Sequence, residues 1–162
     1  MRRTTPPALL ALALALALAA CGTTEKSGSV GDTLEANGLE VTVQRVDRRA
    51  PRPDSDITGL SVPAPGQDLI GVRVRVCSDH GGAIGAFDCG VETSRGDGEL
   101  QNAARNYRKR FDPLRDGCGG GWIVFEVPGD AKPERVTFDF EDTGSTRNEQ
   151  DRVHAKFAWA LE

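Results

Sequence analysis

Between residues 69 and 77 the chain reads LIGVRVRVC, an almost unbroken alternation of apolar and charged side chains. Ile70, Val72, Val74 and Val76 fall on one side of an extended strand, and Arg73 and Arg75 on the other. Successive side chains of a strand point to opposite faces, so this period dictates a half-buried β-strand. The same period recurs. Residues 33–36, Asn37-Gly38 and residues 39–46 read as a hairpin with a type I′ turn, Leu39, Val41 and Val43 sharing a face. Phe87, Cys89 and Val91 repeat the pattern after a glycine-rich turn. Ile123, Phe125 and Val127 form the next apolar face, closed by Pro128. Val136, Phe138 and Phe140 follow, then Val153, Ala155, Phe157, Trp159 and Leu161. A weaker strand is expected within residues 99–111. Residues 49–67 hold Pro51, Pro53, Pro63 and Pro65 and read as a long loop. No stretch carries a convincing helical period. Strands with one apolar face each require two sheets packed face to face. The expected fold is all-β: an immunoglobulin-like β-sandwich of about seven or eight antiparallel strands.

The N-terminal end has a different character. Met1-Arg2-Arg3 is followed by a charge-free apolar run over residues 8–20. That run is too short to span a bilayer, which takes about 20 residues, and suits a signal-peptide core. It ends in Leu18-Ala19-Ala20-Cys21, which resembles the bacterial lipobox. Residues 1–20 are therefore expected to be a cleaved lipoprotein signal peptide, and Cys21 the lipidated first residue. Two acyl chains, at about 0.8 kcal/mol per buried methylene, suffice for stable anchoring. Residues 21–29 are expected to form the lipidated cysteine and a flexible tether with a reach of about 16 Å. Residues 30–162 are expected to form the sandwich, on the extracytoplasmic face of the cell membrane.

Charge narrows the partners. Without Arg2 and Arg3 the chain has 18 basic residues against 24 acidic ones. An acidic domain has no general electrostatic reason to bind nucleic acid. One local exception stands out: Arg105, Tyr107, Arg108, Lys109, Arg110 and Phe111 gather positive charge around two aromatics. Such a cluster guards a strand edge or contacts an anionic headgroup or cell-wall polymer.

No catalytic constellation is marked out, and no cofactor is expected. Ser78-Asp79-His80 is contiguous, and neighbouring side chains of an extended segment point apart. His154 alternates outward with Lys156 and reads as a solvated side chain. Asp54-x-Asp56-x-Thr58-Gly59 imitates the start of a calcium loop, but Pro65 stands where the bidentate Glu belongs. Arg95-Gly96-Asp97 reads as part of a polar hairpin turn.

Three further cysteines remain: Cys77, Cys89 and Cys118. In an exported protein two should pair, and all three pairings are open on the residues alone. Loop closure is worth about 4 kcal/mol for Cys77 with Cys118 and about 3 kcal/mol for Cys77 with Cys89, which barely discriminates. Cys77, His80, Cys89 and Cys118 also make a legitimate zinc donor set, though with irregular spacing.

The segments VGDTLEANGLEVTVQRV, DLIGVRVRVCS and GCGGGWIVFEVPGDAKPERVTF, with a last strand ending WALE, resemble a domain-of-unknown-function family. That family occurs in lipoproteins of Gram-positive bacteria, especially actinobacteria. Its extracellular domains are telokin-like, immunoglobulin-type sandwiches, similar in fold to a secreted immunoprotective antigen of mycobacteria. The resemblance covers residues 30–161 and is sharpest at residues 121–128. It implies a disulfide between Cys77 and Cys118, which leaves Cys89 as a buried apolar residue. The resulting expectation is a non-enzymatic binding or structural module, lipid-anchored and contacting an envelope protein or an anionic polymer. The alternative is a metal-binding or thiol-redox protein built on Cys77, His80, Cys89 and Cys118.

Overall fold

The computed structural model describes residues 24–48, 63–79, 84–100, 111–114, 117–141 and 154–162. Cys21, Asp54, Asp56, His80, Val153 and the basic residues Arg105, Arg108, Lys109 and Arg110, with Tyr107, lie outside them.

The hairpin forms where alternation and turn chemistry agree. Strands β2 (Thr33–Ala36) and β3 (Leu39–Asp47) pair antiparallel. They turn through Asn37 and Gly38 at φ 52° and 73°. A type I′ turn needs positive φ at both central positions, and Asn-Gly supplies them with little strain. β4 (Gln67–Ser78) pairs with β3 on one side and, on the other, along its whole length with β8 (Gly117–Pro128). With β7 (Glu99–Leu100) these complete one sheet in the order β2-β3-β4-β8-β7. The other sheet uses β1 (Thr24–Ser29), β5 (Cys89–Thr93), β6 (Gly96–Asp97), β9 (Pro133–Glu141) and β10 (His154–Ala160), in the order β1-β10-β9-β5-β6.

The alternating apolar positions become the inner faces. Val41, Val43, Val72, Val74, Ile123 and Phe125 of one sheet are buried, as are Val91, Val136, Phe138, Phe140, Phe157 and Trp159 of the other. Ten strands are seen among the described residues, two of them, the polar β1 and the two-residue β6, beyond those expected.

Three expectations are corrected. Residues 24–29 were expected in a flexible tether but form β1, which pairs parallel to β10 in a sandwich whose other strand pairs are antiparallel among the described residues. The side chains of Glu25, Lys26 and Ser27 are exposed, so backbone bonding holds this edge strand and no apolar period announces it. Phe87 does not share the face of Cys89 and Val91: residues Ala86–Asp88 form a single 3₁₀ turn, and Phe87 is 82% exposed. Phe111, placed with the surface cluster, is 5% exposed and packs in the core; its N–H donates to the Trp122 carbonyl at 3.0 Å.

Candidate functional site

The interior is filled with apolar side chains, so function falls to the outward faces and the ends of the sandwich. On the sheet containing β4 and β8, odd-numbered residues of β4 face out. Arg73 and Arg75 are exposed, and Cys77 is half-buried on the same side. Cys77 stands directly opposite Cys118 in register, and the two sulfurs are bonded. The Arg75 guanidinium reaches this bond, with Nη2 3.6 Å from Cys118 Sγ. The glycines around Cys118 have a packing reason at one position. A Cβ on Gly120 would come within 2.8 Å of the Val74 carbonyl oxygen.

The outer face of the other sheet carries an ion-pair cluster. Asp139 on β9 lies opposite Lys156 on β10, and its Oδ2 is 2.9 Å from Lys156 Nζ. Its Oδ1 is 2.7 Å from His154 Nε2. Partial burial pushes the Asp139 carboxyl up, but the hydrogen bonds and charges of Lys156 and His154 outweigh this and hold it below the ordinary carboxylate value. Asp88 caps the 3₁₀ turn by accepting the Gly85 N–H at 2.7 Å. Its pKa is raised, chiefly by burial. His154 is thus engaged by a carboxylate rather than simply solvated. Its neighbour sheet position does not bring a thiol to it: Cys89 faces the core, where burial pushes its thiol up to about 12. A thiol so protonated is a poor nucleophile and a poor metal ligand.

The three cysteines of the zinc set are not brought together, and His80 lies outside the described residues. The sulfurs of Cys77 and Cys118 are joined to each other on the outside of one sheet, while Cys89 is buried on the inside of the other. Among the described residues no group of three or more His, Cys, Asp and Glu is placed to hold a metal ion. Arg95-Gly96-Asp97 serves the turn between β5 and β6: Gly96 has φ 110°, Thr93 Oγ1 donates to the Gly96 carbonyl at 2.6 Å, and Arg95 pairs with Asp130 at 2.8 Å.

At the end of the sandwich where β1 and β10 finish, a groove of about 340 Å³ is lined by Ser29, Val30, Val46, Arg48, Pro133, Ala160, Leu161 and Glu162. Sequence reasoning missed this groove, because its walls come from four separate segments. It also missed the Arg75 contact, although the alternation of Arg73, Arg75 and Cys77 already put all three on one face.

No family model matches the chain, and no curated protein matches it. Solved structures are similar in fold. The secreted protein MPT63 of Mycobacterium tuberculosis has a TM-score of 0.55 at 15% identity, over 86% of this chain and 100% of that one. The lipoprotein candidate YcdA of Bacillus subtilis has a TM-score of 0.50 at 12% identity, over 76% of this chain. The match spans 37% of the YcdA chain. A β-sandwich protein of Clostridium difficile has a TM-score of 0.48 at 11% identity, over 87% of this chain and 97% of that one. At such identities the likeness establishes the sandwich architecture and nothing of activity.

Proposed function

We propose that this chain is a non-enzymatic extracytoplasmic binding module, anchored by acylation of Cys21 and contacting an anionic envelope polymer, or an envelope protein, through its basic segment. The observation that carries this reading is the place where the fold begins. β1 starts at Thr24, three residues after the cysteine of the lipobox-like Leu18-Ala19-Ala20-Cys21. Three extended residues reach about 10 Å, so an acylated Cys21 holds the sandwich almost against the bilayer. The lipoprotein candidate and the secreted protein among the similar folds are in keeping with an address outside the cytoplasm.

On this reading, the end of the sandwich where β1 begins faces the membrane. Thr24 lies beside Ala155 at the start of β10. Asn37 of the hairpin turn donates to the His154 carbonyl at 3.1 Å, so that turn is at the anchored end. Ser78, opposite both Leu39 and Gly117, is there too. The groove at the other end then faces away from the membrane.

The basic segment is flanked by Leu100, opposite Phe125, and by Phe111, bonded to Trp122. The two flanks join β8 at Trp122 and Phe125, about 17 Å and about 26 Å above Gly117 at roughly 3.3 Å per residue. Both exceed the Debye length of about 8 Å at physiological salt. The flanking residues are therefore nearer to a polymer passing beside the domain than to headgroups beneath it. Phe111 is excluded from the contact by its burial.

Two measurements test the reading. Intact mass of membrane-extracted protein should show an acylated species beginning at Cys21; an unmodified chain, or one starting elsewhere, removes the anchor. Replacing Arg105, Arg108, Lys109 and Arg110 together with Ser should weaken binding to a teichoic-type polyanion at low salt by about a thousandfold, at about 1 kcal/mol per basic residue. Absence of binding by the unsubstituted protein at low ionic strength removes the contact.

A further inference from the structure

We propose that the Cys77–Cys118 disulfide is an accessible thiol–disulfide exchange site, with Cys118 as the leaving sulfur and Arg75 as the group that holds its thiolate. The inference stands apart from the anchoring of Cys21 and from the polyanion contact.

Three observations carry it. The bond lies on the outer face of its sheet, with Cys118 exposed and Cys77 half-buried. Exposed disulfides are the labile ones, because exchange requires a thiolate to reach a sulfur. Next, Arg75 Nη2 stands 3.6 Å from Cys118 Sγ. A guanidinium beside a sulfur stabilises its thiolate and lowers the pKa of that thiol. A thiol of lower pKa leaves faster. Finally, β4 and β8 are paired in register along their whole length, from Gln67 opposite Pro128 to Ser78 opposite Gly117, so the cysteine pair is one rung of a twelve-residue ladder. A disulfide stabilises mainly by restricting the unfolded chain. Opening it therefore leaves the two cysteines facing each other in the folded ladder, ready to close again.

The step balances. The thiolate of a low-molecular-weight thiol, or of a dithiol protein, attacks Cys77 Sγ. A new sulfur–sulfur bond forms to Cys77 as the Cys77–Cys118 bond breaks. Cys118 departs with the electron pair as a thiolate beside Arg75. A second thiolate then attacks the incoming group's own sulfur and releases Cys77 as a thiolate, which takes a proton from water. The external pair leaves oxidised to its disulfide, and the protein leaves reduced by two electrons. Cys89, shut in the core with its thiol held protonated, takes no part.

The test uses the folded protein with glutathione at neutral pH and no denaturant, quenched by alkylation and mapped by mass spectrometry. Hydrogen exchange of β4 and β8 amides, followed under the same conditions, gives the rate of unfolding. The expected result is glutathione on Cys77 with Cys118 free, appearing faster than the strands open. Arg75→Gln should slow this by about threefold, because the departing Cys118 thiolate loses the guanidinium beside it. Arg75→Lys should recover part of the rate, and Cys89→Ser should not change it. Opening only at the rate of unfolding, glutathione found on Cys118, or an unchanged rate in Arg75→Gln would each overturn the proposal.

Discussion

Replacing Trp159 with Phe should loosen the point where the chain passes from one sheet to the other. Trp159 is fully buried on β10, and its Nε1 donates to the Asp32 carbonyl at 3.1 Å. Asp32 is the pivot of the turn between β1 and β2. Its N–H donates to the Ser29 carbonyl at 3.0 Å, and its Oδ2 accepts the Ser29 N–H at 2.8 Å. One indole N–H thus ties the core to the turn that ends β1. Phenylalanine keeps most of the apolar contact but loses the donor and one ring. The hydrogen bond is worth about 1 kcal/mol net. The indole exceeds a phenyl by about 40 Å³, and an unrelaxed void of that size costs about 1 kcal/mol. A total of about 2 kcal/mol should lower the melting midpoint by about 6–8 °C in a domain of this size. Thermal melts followed by far-UV circular dichroism measure the first effect. Hydrogen exchange measures the second, and residues 25–29 should lose protection more than β4 does. A midpoint within 1 °C of the parent, or equal loss of protection in β1 and β4, would refute the claim that the indole pins this turn.

Asp88 should carry a pH signature of the opposite sign to an ordinary ion-paired carboxylate. Burial raises its pKa, the Gly85 N–H offsets part of that, and the charge of Asp139 adds to the rise. The folded state therefore binds this proton more tightly than the unfolded state, and Asp88 costs stability above its folded pKa. That cost is relieved as pH falls through the folded pKa toward the ordinary value of 3.8. Asp88→Asn, which retains an acceptor for Gly85, should be more stable at pH 7, with the advantage shrinking on acidification in chemical denaturation curves. Cys89 should resist a thiol reagent at pH 8 and label only as fast as the core exchanges, since it is buried with its pKa near 12; rapid labelling would place it outside the core. Gly120→Ala should destabilise by about 1–2 kcal/mol in a denaturant melt, because the new Cβ meets the Val74 carbonyl oxygen at 2.8 Å.

The inner faces of the sandwich were legible because each strand repeats one physical rule. Ile70, Val72, Val74 and Val76 alternate with polar neighbours and are all buried. Asn37-Gly38 announced its turn through the backbone angles that only such residues adopt readily. The misses share a cause: contacts made by the main chain leave little trace in side-chain pattern. β1 is held to β10 by backbone pairing, and its exposed polar residues look like linker. At Phe87 a 3₁₀ turn interrupts the period, so an apolar residue that counts as inward on paper points out. Phe111 closes a basic stretch, yet its N–H bonds to β8 and its ring enters the core. For the sites, His154 and Lys156 could be placed outward from alternation, and Arg75 beside Cys77 likewise. Their partners could not, since Asp139 meets both cations only once the register of β9 against β10 is set.

β1 and β10 run the same way, with Thr24 beside Ala155 and Ser29 beside Ala160. The first residue of one strand and the last of the other therefore sit at opposite ends of the molecule. Tension between a membrane-held Cys21 and a load applied at Leu161 would run along both strands in opposite senses. Such a load shears the whole ladder at once, and every bond across it must yield together. Had the two strands been antiparallel, the same pull would unzip them one bond at a time. On the proposed reading, this edge strand is a mechanical coupling that lets the domain bear force between the bilayer and whatever it holds.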